Sequence, residues 1–205
     1  MTPRQLMGAF LTLTLAVSAP VGATRPTQVA PPTGALASPT PHSAPTTVPA
    51  QGTVEVAFSP EGGATAATVR FIGEARLSIR MAAYGLTSNP IGKALVEAKN
   101  RGVDVRVVVD KNHNGQRGGA NSVANYLAAN GIALRVDGAV RIQHNKVVIV
   151  DGQSVQNGSF NFTSAAETLN AENIVIHRGS PRLARLFTDN WTRLWDESDD
   201  FRPAY

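Results

Sequence analysis

Apolar residues along this chain recur in two rhythms, every second position and every third or fourth, and the two alternate. Val54, Val56 and Phe58 stand at period two and predict a strand, closed by the turn-forming run from Ser59 to Gly63. Residues 64–73 read as a helix, and Leu77, Ile79 and Met81 return to period two. Asn89 and Pro90 open a second helix whose inner stripe is Ile91, Leu95 and Ala98, and Gly102 stops it. Val103, Val105, Val107 and Val109 predict the next strand, and residues 111–119, rich in Gly and Asn, a loop. A short helix over 121–130 ends at Gly131. Further strands are predicted over 132–136, 146–150 and 173–177. Ser180 and Pro181 then start a last amphipathic helix, with Leu183, Leu186, Phe187, Trp191 and Leu194 on one face. Strands alternating with helices predict an α/β domain, a mixed and largely buried β-sheet flanked by helices. The chain shows no internal repeat.

The rhythm begins only after residue 50. Residues 1–23 are expected to be a signal peptide, with Arg4 before an apolar run from Met7 to Val17 and a small-x-small site at Val21, Gly22 and Ala23. That run is short for a membrane span, and an uncleaved anchor is the alternative. Residues 24–50 hold seven of the thirteen prolines and no acidic residue. Such a segment buries too little apolar surface to offset its ordering entropy, so a disordered linker is expected, with residues 51–205 as the folded domain. The chain has no Cys, which excludes disulfides, thiolate metal sites and lipid attachment through a cysteine. Export would place the domain in a bacterial periplasm or outside the cell.

Charge adds a modest hint. The domain carries 17 basic and 15 acidic side chains, and several of the acids crowd at its end as Asp196, Glu197, Asp199 and Asp200, expected to be solvated. The body before them is therefore net basic, which suits a polyanionic partner.

The chemistry concentrates between residues 144 and 161. On an extended chain, residues two apart point the same way, so His144 and Lys146 share a face about 7 Å apart along the chain. Asp151 has the opposite parity and falls at a turn with Gly152, so a supporting task is expected of it, pinning the turn or binding the chain from behind. Ser159 and Asn161 repeat the two-residue spacing, and Gly158 before them would let the backbone approach a phosphate oxygen. At ordinary pKa values a lysine is charged at pH 7 and a histidine largely neutral. Neutral imidazole can attack phosphorus, while ammonium, hydroxyl and carboxamide groups stabilise charge on the non-bridging oxygens.

This set resembles the phospholipase D superfamily, whose signature is His-x-Lys-x4-Asp followed by Gly-Ser-x-Asn, matched here by His144, Lys146, Asp151, Gly158, Ser159 and Asn161. The stretch from Val54 to Pro60, the pair Ala83 and Tyr84, and the run from Val107 to Asp110 are similar to its small bacterial endonuclease branch. The resemblance implies a phospholipase D/nuclease-like fold. It also implies that Glu172, just before the strand at 174–176, hydrogen-bonds the catalytic histidine. Members build one active site from two such motifs, and this chain has one. His42, His113 and His177 lack the companions of a second motif. Small members meet this need by homodimerisation, so the resemblance implies an isologous dimer with both His144 side chains at a shared site.

Lys111, Arg117 and Arg141 are weaker candidates for contacts along a nucleic-acid backbone. No carboxylate pair or histidine cluster has metal-site spacing, so no cofactor is expected and activity should survive chelators. The leading expectation is an exported, metal-independent endonuclease. It would hydrolyse DNA, and by the same chemistry RNA, with little sequence preference through a phosphohistidine intermediate. The alternative enzyme is a phospholipase D acting on lipid head groups, although no membrane-binding helix is evident beyond the signal. The alternative of another class is a nucleic-acid-binding module without catalysis.

Overall fold

The computed structural model describes residues 44–112 and 122–203. The proposed signal peptide, residues 24–43 of the linker, Arg117 and His113 therefore lie outside the described residues. In chain order the elements are β1 (Thr53–Ser59), α1 (Ala64–Gly73), β2 (Ser78–Ala83), α2 (Asn89–Asn100), β3 (Asp104–Asp110) and α3 (Val123–Ala129). They continue with β4 (Ala133–Asp137), β5 (Lys146–Val150), β6 (Ser154–Gly158), α4 (Ser164–Thr168), β7 (Glu172–Arg178), α5 (Pro181–Glu197) and β8 (Asp199–Asp200). The eight strands form one sheet in the order β1-β7-β6-β5-β2-β3-β4-β8. β2, β3 and β4 run parallel and every other neighbouring pair is antiparallel. The fold is the mixed α/β sheet flanked by helices that the alternation predicts.

Each face of the sheet has its own core. On one, Phe71, Ile72, Ile91, Leu95 and Leu127 from α1, α2 and α3 bury against Ile79, Met81, Val107, Val148 and Ile174. On the other, Ala184, Trp191 and Leu194 of α5 cover Ala82, Val108, Val147, Ile149 and Val155. Burying each of these larger side chains stabilises the fold by roughly 1.5–3 kcal/mol. Trp191 also donates its indole N–H to the Met81 carbonyl at 2.8 Å, so α5 is fixed in register on β2 as well as packed. Among the described residues, no helix is long and apolar enough to cross a membrane.

Four details differ from the periodicity. β6 carries Ser154, Gln156, Asn157 and Gly158 around one apolar residue, Val155, and gives no strand signal. It is a strand because both its neighbours pair with it, and Gln156 finds a buried partner in the Thr68 hydroxyl at 3.0 Å. α4 is a single turn capped by the Thr163 hydroxyl, too short for a periodic stripe. The α2 N-cap is Ser88, one residue before the expected Asn89. The acidic end is not simply solvated: Asp199 and Asp200 pair with Val136 and Arg135 on the sheet edge, and Arg135 donates to Asp200 at 3.1 Å.

Strand direction gathers the chemistry. The C-terminal ends of β1, β2, β3, β4 and β6 and the N-terminal ends of β5 and β7 all lie at one edge of the sheet, as the pairings require. Open α/β sheets bind ligands outside the carboxyl ends of their parallel strands.

Candidate active site

Lys146 is the first residue of β5 and sits opposite Ala83, the last of β2. His144 lies two residues earlier, in the irregular segment just before the strand. Both side chains rest on Tyr84: the His144 ring centroid is 4.4 Å from that of Tyr84, and the Lys146 ammonium is 4.9 Å from the same ring. They therefore share a face, and Tyr84 is the surface that aligns them. The imidazole is exposed, while Lys146 is only 6% exposed and donates to the His144 carbonyl at 2.8 Å. Burial pushes the Lys146 ammonium below the ordinary lysine pKa, and the Glu172 carboxylate partly restores it.

Glu172 opens β7 opposite Ser59 of β1, half-buried, and accepts from the Asn170 carboxamide at 3.3 Å. Its neighbour Asn173 donates to the Ser159 hydroxyl from both its main-chain N–H and its side chain, at 3.1 and 3.3 Å. The lone pairs of that oxygen are thus turned toward β7, which leaves its own O–H to be donated elsewhere. Asn161 lies beside Gly85, directly after Tyr84, and its Oδ1 is buried without a hydrogen-bond partner. A half-turn of the carboxamide would present its NH₂ instead. His144, Lys146, Ser159, Asn161 and Glu172 thus come from three separate loops and strand ends and meet at one edge. An exposed imidazole with a buried ammonium beside it, and a hydroxyl and a carboxamide at the same edge, can attack and hold a phosphodiester.

The other sequence candidates lie differently. Asp151 is at the far end of β5, roughly 16 Å from Lys146 at the strand rise. Its carboxylate accepts the main-chain N–H groups of Arg76, Leu77 and Ser78 at 2.8–3.3 Å, which anchors the start of β2. The missing side chain of Gly158 is used against protein: a Cβ there would lie 2.2 Å from the Asn173 carbonyl oxygen. That close approach lets Ser159 reach Asn173. Lys111 donates to the carbonyls of Gly138 and Val140 at 3.1 Å each, so its ammonium ties a loop and is not held out toward a ligand. Arg141 is exposed, and its carbonyl accepts from Asn112 at 3.4 Å. Among the described residues, no group of three or more His, Asp or Glu could hold a metal ion.

The chain matches the family described as cardiolipin synthase, PLD-like domain, over residues 68–195. It belongs to the phospholipase D superfamily. A phospholipase D of Rickettsia bellii is 38% identical over 138 residues, 67% of this chain and 67% of that protein. A mitochondrial cardiolipin hydrolase of Chlamydomonas reinhardtii is 32% identical over 126 residues, 62% of this chain and 55% of that protein. The crystal structure of Nuc, a phospholipase D family member from Salmonella typhimurium, is 47% identical. It covers 73% of this chain and 98% of Nuc, with a TM-score of 0.69. As a superfamily member this protein is a phosphodiesterase.

Three residues of the site region escape reading by composition. Tyr84 and Asp110 lie in stretches that carry the family resemblance, but the task of Tyr84 shows only in its contacts with His144 and Lys146. Asp110 and Gln143 are fully buried polar residues beside the His144 segment, and a sequence shows burial of a polar side chain only through its neighbours in space. A polar residue directly after three consecutive valines, as Asp110 is after Val107, Val108 and Val109, is a signal that could have pointed there.

Proposed function

We propose that this superfamily phosphodiesterase is an endonuclease acting on DNA, and by the same chemistry on RNA, without a metal ion. The observation that carries this reading is the likeness to Nuc, 47% identical along 98% of its length, whereas the lipid-named relatives are less similar over smaller shares. The His144 imidazole attacks phosphorus, forming an N–P bond while the P–O bond to the leaving nucleotide breaks. A second imidazole protonates that leaving oxygen and then takes a proton from water, whose oxygen displaces His144. Lys146, Ser159 and Asn161 hold the non-bridging oxygens, and Glu172 supports the charged imidazole.

One chain offers one such histidine, so the second is assigned to the His144 of a second copy. The surface that supports this is the outer face of β1, where Val54, Val56 and Phe58 are 50–63% exposed. Phe58 is paired with Asn173, the residue that holds Ser159, so the apolar strip runs into the site. The protein is assigned to the periplasm or exterior of a bacterial cell on its N-terminal sequence.

A second reading, hydrolysis of phospholipid head groups, draws on the names of the Rickettsia and Chlamydomonas relatives. Exposed Val140, Ile142 and Leu169, close in sequence to His144 and Glu172, would suit a lipid surface. Plasmid DNA in EDTA and cardiolipin or phosphatidylcholine vesicles, each with wild type and His144→Ala, separate the two. Cleavage of plasmid by wild type alone is expected, and head-group release without plasmid cleavage would overturn the nuclease reading. Binding of DNA without cleavage by either protein would make it a non-catalytic module.

A further inference from the structure

We propose that Asp110 and Gln143 are positioning residues for His144, a buried unit that fixes the main chain on both sides of it. This rests on the reading of His144 as the attacking group. Asp110 ends β3, directly after Val107, Val108 and Val109, and has no exposed surface. Its two carboxylate oxygens each accept a main-chain N–H at 2.7 Å, one from Asn112 and one from Gln143, 33 residues away in the chain.

Gln143 is itself only 1% exposed and passes the restraint on. Its Oε1 accepts the Asn145 N–H at 2.7 Å and the Asn145 carboxamide at 3.1 Å. The Asn145 carbonyl in turn accepts the Tyr84 N–H at 3.0 Å, and the His144 carbonyl accepts from Lys146 at 2.8 Å. Both neighbours of His144 are thus tied by their main chain to the ends of β2 and β3, while its imidazole stays exposed.

A loop residue that must place one nitrogen against phosphorus needs this restraint, because a misplacement of about 1 Å can cost on the order of a hundredfold in rate. Burying a carboxylate is expensive without partners, and here both oxygens of Asp110 have one. The same carboxylate holds the Asn112 N–H, and so joins the turn directly after β3 to the chain just before the attacking residue.

The chemistry of the acceptors supplies the test. An aspartate can accept from two N–H groups at once. An asparagine of the same shape must turn its NH₂ toward one of them. Gln143→Met keeps the volume and removes the acceptor for Asn145. Turnover of bis(p-nitrophenyl) phosphate would be measured for wild type, Asp110→Asn, Gln143→Met, the double variant and His144→Ala, below the melting temperature of every protein. Each single variant should lose at least tenfold in kcat with KM within about twofold. The double variant should be no worse than the poorer single, as members of one unit behave. The His144 ring resonance in NMR should shift in both variants while that of His177 stays put.

Folded Asp110→Asn with wild-type kcat, losses that multiply in the double variant, or an unmoved His144 resonance would each overturn the proposal. Gln143→Met keeps it testable if Asp110→Asn does not fold. If His144→Ala is as active as wild type, the reading of His144 falls instead.

Discussion

The Tyr84 ring lies 4.4 Å from the His144 ring and 4.9 Å from the Lys146 ammonium, so one aromatic side chain supports both charged or chargeable groups of the motif. Ammonium over an aromatic face is stabilised by about 0.5–2 kcal/mol, more as water is excluded. Tyr84→Phe keeps the ring and should retain most of the turnover. Tyr84→Leu removes the π-face and the ring contact, and kcat should fall about tenfold or more, with the fold unchanged by circular dichroism. Equal activity in the two variants would show that the ring plays no part.

Lys146 and Glu172 make a pH prediction with a definite sign. Burial lowers the Lys146 pKa, and Glu172 pulls it back up. Lys146 is useful in its charged form, so activity should fall on the alkaline side at lower pH than an ordinary lysine would allow. Glu172→Gln removes the raising influence, and the alkaline limb should move further toward neutral pH. A kcat/KM profile from pH 6 to 10 for both proteins checks it. A limb that stays in place, or moves upward, would contradict the assignment.

Asp151 predicts a loss of stability with little change in chemistry. Its carboxylate receives three main-chain N–H groups at the start of β2, and its backbone is left-handed at φ 55°. Asp151→Ala abandons the bonds and strains the turn, which should cost about 2–3 kcal/mol. Asp151→Asn keeps one acceptor and tolerates the left-handed backbone, so it should cost roughly half as much. Urea unfolding measures both. The folded fraction of either variant should turn over substrate at the wild-type rate.

Gly158 predicts damage of another kind. A Cβ at that position would meet the Asn173 carbonyl oxygen at 2.2 Å, so β6 and β7 must part to admit it. Gly158→Ala should destabilise by about 1–3 kcal/mol and also lower kcat, because Ser159 loses its seat on Asn173. Thermal unfolding and kinetics on one preparation check both effects together.

Much of the site was legible from residue order alone. His144 and Lys146 both rest on Tyr84, as their two-residue spacing suggested, and such spacing is local. The parity that set Asp151 apart is local too, and it agrees with the carboxylate's position at the opposite sheet edge. The partners of Lys111 were not legible, because a charged residue in a loop looks the same whether it faces solvent or the carbonyls of Gly138 and Val140. β6 stayed hidden because it is a strand through its pairing with β5 and β7, and its buried Gln156 is satisfied by Thr68 of α1, not by any pattern of its own.

The order of residues determined the alternation of strands and helices, the face shared by His144 and Lys146, and the family signature that names the chemistry. Those features depend on backbone periodicity and on residue types within a few positions of one another. Only the tertiary structure decided that strand ends from β2, β3, β5, β6 and β7 share one edge, that Tyr84 lies under both motif side chains, and that Asp110 and Gln143 hold the segment around His144. Each of these joins residues far apart in the chain, through burial and hydrogen bonds that exist only once the sheet has closed around them.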